Sequence, residues 1–229
     1  MAKKLILFLV EGITEKESFG LVFSEIFKDK EIEFEISHGD ITTRNGVTTR
    51  NIIGKVNGEI TSFLAKEHYK KSDIFKIVHL VDTDGAYVDN SMIEKHDEDN
   101  LYYSNQKIFA SYPEKITERN EKKSRIMNRL SRTPSINNIP YNVYYLSCNL
   151  EHVLHNEANV KDNLKMELAE KFNDRFYEKA NEFIDFISSE EFAVSGDYVD
   201  TWEFIKQGNN SLNRYSNFHL IFKNLNDHN

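Results

Sequence analysis

The stretch HLVDTDGAYV, residues 79–88, decides how this chain is read. An apolar run ends in two aspartates, Asp82 and Asp84, one residue apart, and Gly85 comes next. Two-residue spacing places both carboxylates on one side of an extended chain. Like charges that close are costly unless they lie in a solvated turn or a cation sits between them. The residues just upstream, IFKIVHLV (74–81), read as a fully buried strand, so the acids stand at its carboxyl end.

Outward from this strand the same grammar repeats. KKLILFLV (3–10) reads as another buried strand, with Glu11 and Gly12 directly after it. Thr14, with Glu17 three residues on, forms a capping box. The helix it opens carries Phe19, Val22, Phe23, Ile26 and Phe27 at helical spacing. EIEFEIS (31–37) alternates apolar and charged residues, the pattern of a half-exposed edge strand. Ile52, Ile53, Val56, Ile60, Phe63 and Leu64 mark a second helix. Ile126, Met127 and Leu130 mark a third, which stops before Pro134. YNVYYLS (141–147) is a fourth strand, and Asn149 can cap a helix beginning just after it.

Strands alternating with helices imply an α/β fold, Rossmann-like, with a mostly parallel four-stranded sheet and helices on both faces. This sheet domain spans residues 1–157 and carries an insertion at about 85–118, which can be a hairpin or a flap. Residues 158–229 read as a C-terminal helical appendage packed on that domain. One long helix carries the stripe Leu164, Leu168, Phe172, Phe176, Ala180, Phe183 and Ile187, and a second carries Leu212, Tyr215, Phe218, Phe222 and Leu225.

Charge and composition narrow the function. The 229 residues carry a net charge of −8, which argues against indiscriminate adhesion to nucleic acid. Any polyanion contact must be local. Lys115, Arg119, Lys122, Lys123, Arg125, Arg129 and Arg132 supply such a patch, opposed only by Glu118 and Glu121, and a plain solvated helix face is the alternative. Arg44 and Arg50 can extend the patch. The run LILFLV is too short for a membrane span. A single cysteine, Cys148, excludes an intramolecular disulfide and a multi-cysteine metal site. A cytoplasmic location is expected. His152 and His155 share a helix face without a zinc pattern, and His79 reads as a hydrogen-bonded strand residue able to tune Asp82. Trp202 reads as core.

Ligands of open parallel sheets collect at the carboxyl ends of the strands. Glu11, Asp82, Asp84 and Glu151 all fall at such ends. Gathered together they call for a hard divalent cation with oxygen ligands, Mg²⁺ or Mn²⁺. Singly, each has a plainer reading: Asp-x-Asp-Gly as a turn, Glu15 and Glu151 as helix-dipole partners.

Three segments also resemble a known family. FLVEGITEKESF (8–19) and VDTDG (81–85) resemble the two acidic motifs of the TOPRIM fold of OLD-family and RloB-like proteins, and LSCNLEHVLHN (146–156) resembles the RloB-like segment after the fourth strand. The resemblance implies that Glu11, Asp82 and Asp84 hold Mg²⁺ (or Mn²⁺), with Glu15 and Glu151 as further acids and Gly12 allowing close approach of a phosphate. It implies a nuclease acting on DNA or RNA, in phage defence, with an ATPase encoded alongside as a possible partner. The segment departs from the family in placing Leu150 between Asn149 and Glu151, and the family's basic catalytic residue finds only Lys206 and Arg214 as candidates. The basic helix (Arg119, Lys122, Lys123, Arg125, Arg129) would position a nucleic-acid backbone. Two rivals stay open: a haloacid-dehalogenase-like phosphatase with Asp82 as nucleophile, and a non-catalytic interaction module beside an ATPase.

Overall fold

The computed structural model describes residues 4–37, 39–98 and 100–226, with side chains through Lys223. Lys3, Asp99 and the side chain of Leu225, which the sequence assigns to a strand, a loop and a helix stripe, lie outside the described residues. The chain is α/β, and its segments form two compact units that interleave along the sequence. The first comprises residues through Val81, then Arg125–Tyr144 and Ala169–Ala180; the second comprises Asp82–Ser124, Tyr145–Leu168 and Asn181–Asn229. The hydrophobic pattern instead divides the chain once, at residue 157. A single cut marks the change in that pattern, whereas compactness depends on long-range pairing that local pattern does not report.

The first unit is built on a sheet. Strands β1 (Leu5–Val10) and β2 (Glu31–Ile36) run parallel, and β1 also pairs in parallel with β3 (Ile74–Asp82). Later in the chain come β7 (Ser135–Ile136) and β8 (Ile139–Leu146), and the full order is β2-β1-β3-β8-β7. The sheet is therefore mostly parallel with five strands, not four. The added strand β7 is two residues long and antiparallel to β8, too short to leave a periodic signal. All six residues of β1 are buried, as expected of a central strand covered on both faces.

Helix α1 (Ile13–Ile26) turns Phe19, Val22 and Phe23 inward. The Phe23 ring lies 4.8 Å from Phe8 of β1 and 6.1 Å from Phe34 of β2. Helix α2 (Ile52–Lys66) buries Ile52, Val56, Ile60 and Phe63, the stripe its sequence announces. Strand β2 sits at the edge, with Glu31, Glu33 and Glu35 at alternate positions, and charge there discourages pairing with another chain.

The second unit holds what the sequence leaves as an irregular insertion. Strands β4 (Ile93–Lys95), β5 (Tyr102–Tyr103) and β6 (Ile108–Ala110) form a small sheet of order β4-β6-β5. Helix α3 (Pro113–Leu130) comes next, starting inside the stretch the sequence assigns to the insertion because Pro113 serves as an N-terminal helix residue. Asn149 caps α4 (Leu150–His155), as its sequence position suggests: its Oδ1 accepts the N–H of His152 at 2.9 Å. The long helix expected over 164–187 is broken into α5 (Asp162–Phe176) and α6 (Ala180–Ile187). Glu178 between them has φ +55°, a left-handed conformation that ends a helix. Helix α7 (Tyr198–Ile205) is too short to announce itself by period, and α8 (Leu220–Asn226) covers only the end of the last stripe. Among the described residues no helix is long and apolar enough to cross a membrane.

Candidate functional site

Asp82 is the last residue of β3, and the chain beyond it is held tightly. Thr83 N–H donates to Leu146 O at 3.0 Å and Asp84 N–H to Cys148 O at 2.7 Å. The backbone then reverses through Asp84 (φ +49°) and Gly85 (φ +68°). Gly85 is required here twice over. Its φ is left-handed, and a Cβ would lie 2.6 Å from Leu212 Cδ2 and 2.9 Å from Ile108 Cδ1. The buried Thr83 hydroxyl donates to Ser211 O at 2.8 Å, fixing the turn from a third direction.

The cation beside Asp84 is a lysine. Lys123 Nζ sits 2.6 Å from Asp84 Oδ2, and its side chain is 0% exposed. Arg119 of the same helix donates from Nη2 to Asp84 O at 2.7 Å and from Nη1 to the Tyr103 hydroxyl at 3.0 Å. Asn120 Nδ2 donates to Gly85 O at 3.3 Å. Burial works against the Arg119 charge, but Tyr103 and Asp84 outweigh it and hold its pKa above the ordinary value. Burial, then Asp84, pushes the Tyr103 hydroxyl up, and the same two causes followed by Asp82 push the Cys148 thiol up. Both stay protonated.

This corrects the reading of the basic helix. Lys123 is buried and cannot reach a nucleic-acid backbone, and Arg119 is committed to the turn. Lys122 is half-buried, whereas Lys115, Arg125 and Arg129 stand exposed on α3 and keep a polyanion role open.

A second acidic focus lies in the same unit. Glu151, in the first turn of α4, is 5% exposed. The Lys165 ammonium, on α5, is opposed by burial, yet Glu151 first, then Asp162 and Asp82, raise its pKa above the ordinary value. Asp82 and Glu151 thus act on one ammonium. Asp82 ends β3 and Glu151 lies in the helix that follows β8, the neighbour of β3 in the sheet. The sequence gives no sign of Lys165, which nothing distinguishes there from other helix-surface lysines.

Glu11 and Glu15 belong to the first unit. Glu11 is half-buried, and its carbonyl accepts the Gly39 N–H at 3.0 Å. Glu15 is 5% exposed, and its Oε2 accepts the Gly12 N–H and the Thr14 hydroxyl, each at 3.2 Å. The cap is therefore at Gly12 and not Thr14, and it is half a capping box: Glu15 receives the Gly12 N–H, while glycine has no side chain to return a bond. Glu15 works as a cap, and it engages the N–H of Gly12, whose backbone is expected to let a phosphate approach closely.

Among the described residues no group of three or more His, Cys, Asp or Glu side chains is gathered closely enough to hold a metal ion. Asp84 does not fit such a centre, because Lys123 already neutralises it. Asp82 and Glu151 are two carboxylates that both act on the Lys165 ammonium, fewer than the three such a group needs.

The remaining candidates have other work. Lys206 pairs with Glu203 at 2.7 Å. Arg214 donates to Val153 O at 2.9 Å, pairs with Glu191 at 3.3 Å and lies over the Phe192 ring. Arg44 is bound to Glu59 at 2.7 Å. His79 Nδ1 meets the Tyr141 hydroxyl at 2.7 Å, and the charge acting on it is that of Asp40. Trp202 is core, 5.1 Å from the Tyr145 ring. Compared with protein-family models, curated proteins and solved structures, the chain finds no match, so the meaning of the site rests on its own chemistry.

Proposed function

We propose that the protein is a metal-dependent nuclease that cleaves phosphodiester bonds of DNA or RNA. One observation carries this reading: Asp82 ends β3 and the buried Glu151 opens the helix after β8, so two carboxylates follow neighbouring strands of one sheet. The resemblance of FLVEGITEKESF and VDTDG to TOPRIM motifs supports it. By the same resemblance, the biological setting is phage defence, with an ATPase as partner.

Asp82 and Glu151 would hold a Mg²⁺ or Mn²⁺ ion. When bound, such an ion supplies polarisation of the phosphoryl group and a hydroxide at neutral pH. The protein's own part is positioning. Lys165 balances the two carboxylates and offers an ammonium to a phosphate oxygen. The Asp84–Lys123 pair and Arg119 lock the turn that presents Asp82. Exposed Lys115, on the second unit's part of α3, offers a further cation to the backbone of the strand without reading its sequence.

The test is cleavage of labelled DNA and RNA by purified protein with Mn²⁺. Asp82→Asn and Glu151→Gln should each remove activity while leaving the fold intact by circular dichroism. Full cleavage by both variants would refute the assignment.

A second reading, a non-catalytic module, is favoured by the closed network around Asp84, which looks built for rigidity. Intact folding with no cleavage of any nucleic acid, alone or with its ATPase partner, would put that reading first.

A further inference from the structure

Beside the acidic focus, the second unit carries an open cleft of about 600 Å³. One wall is the β5–β6 hairpin, from Tyr102 through Gln106; the other is α4 with the residues after it, His152, Asn156, Ala158 and Asn159. The walls are tied together. Asn159 accepts the Tyr103 N–H at its Oδ1 and donates from Nδ2 to Tyr103 O, both at 2.8 Å. The cleft is thus a built frame with a fixed width.

Its chemistry is unusual for a chain of which 29% is charged. None of the lining residues is Asp, Glu, Lys or Arg. His152, which also lines it, is 5% exposed. The side-chain amides of Asn105, Gln106 and Asn156 make no hydrogen bond among the described residues, and all three are exposed. Tyr102 offers a ring that is 49% exposed, braced by Phe109 at 6.1 Å between centroids.

A flat aromatic face, several amide donors and acceptors, and no net charge are what an unstacked nucleobase requires. Aromatic rings take its π-face, and amides read its Watson–Crick edge. A phosphate or a carboxylate would find no counter-charge here. The cleft also adjoins the acids through two shared residues. His152 is next in sequence to Glu151, and Tyr103, which lines the cleft, reaches Asp84 and Arg119 with its hydroxyl.

We propose that this cleft holds one unpaired base of the nucleic-acid substrate, stacked on Tyr102 and hydrogen-bonded by Asn105, Gln106 and Asn156, so that the protein acts on single-stranded or locally opened nucleic acid. This deepens the nuclease reading and rests on it for the identity of the polymer. A base inside a duplex keeps its edge paired and its faces stacked and cannot enter.

The experiment measures fluorescence anisotropy of a labelled thymidine oligonucleotide with the full-length protein, in chelator so that nothing is cleaved. The same strand annealed to its complement is the comparison. The single strand should bind about tenfold or more tightly than the duplex. Tyr102→Ala, and Asn105→Ala with Gln106→Ala, should each weaken single-strand binding about tenfold and leave duplex binding unchanged, while Tyr102→Phe restores it. These positions are exposed, and circular dichroism checks that the variants fold. Equal binding of the two forms, no binding of the single strand, or variants that bind like the parent would each overturn the proposal. The nuclease reading fails separately: single-strand binding through the cleft with no cleavage in Mn²⁺ sinks that reading and sustains this one.

Discussion

Asp84 is a charged residue in a left-handed turn whose carboxylate meets an ammonium with no solvent exposure. The two partners are not equivalent. The Asp84 side chain is 24% exposed and can find water if Lys123 is lost, whereas Lys123 has no such recourse. Asp84→Asn should therefore be the worse change, destabilising by about 3 kcal/mol, because it strands a buried ammonium. Lys123→Met removes the charge along with the need for it and should cost clearly less. Urea unfolding of the two variants checks the order. The lysine is legible in principle. Counting back from Ile126, Met127 and Leu130, position 123 falls on the apolar stripe of α3, where a lysine must be either paired or misplaced. Charge alone groups it with its exposed neighbours in a nucleic-acid patch. Asp82 and Glu151 are visible from their places after strands; Lys165 is not, since its role depends on where α5 packs.

Among the elements, buried strands and amphipathic helices declare themselves by period, and β1, β2, β3, α1, α2 and β8 are legible close to their actual bounds. The features that escape are set by tertiary contacts or by single left-handed residues: β7, the small β4-β6-β5 sheet, and the break at Glu178. The way the second unit is pinned sets two expected outcomes. Gly85→Ala should destabilise by about 2 kcal/mol or more, combining left-handed strain with contact against Leu212 and Ile108. In a background of Leu212→Ala, which carries its own cavity cost, Gly85→Ala should cost less than in the parent yet keep the strain and the Ile108 contact, as a double-mutant cycle by thermal unfolding would show. Asn159→Ala removes both bonds to the Tyr103 backbone. It should cost about 1–2 kcal/mol and speed hydrogen exchange at the Tyr103 amide well beyond that of β3.

At the scale of the whole molecule, three histidines among the described residues are buried in the neutral state. His79, His152 and His219 are 2%, 5% and 6% exposed, and burial lowers each from 6.5 to about 4. The unfolded chain binds a proton at each below pH 6.5, while the folded chain resists until about pH 4. Stability is thus fully present above the unfolded value and falls as pH drops through that window. The limit is about 1.4 kcal/mol per pH unit, approached by the enclosed His79 and reduced by solvent screening at His152 and His219. Urea midpoints measured between about pH 7 and pH 5 should decline steeply, and His79→Phe should flatten the slope; a pH-independent midpoint would contradict the burial of all three.

The interleaving of the two units has a consequence for synthesis on the ribosome. The first unit draws its third segment from Ala169–Ala180, after the chain has already made two excursions into the second. A sheet whose β1 emerges early must wait for β8 and then for Phe172 of α5 to meet Phe19 before that unit is complete. Vectorial, one-domain-at-a-time folding is closed to such a chain. Its nascent form can pair β1 with β2 and β3 early, but the other edge of β3 stays open until β8 arrives, and long-range closure of that kind slows folding.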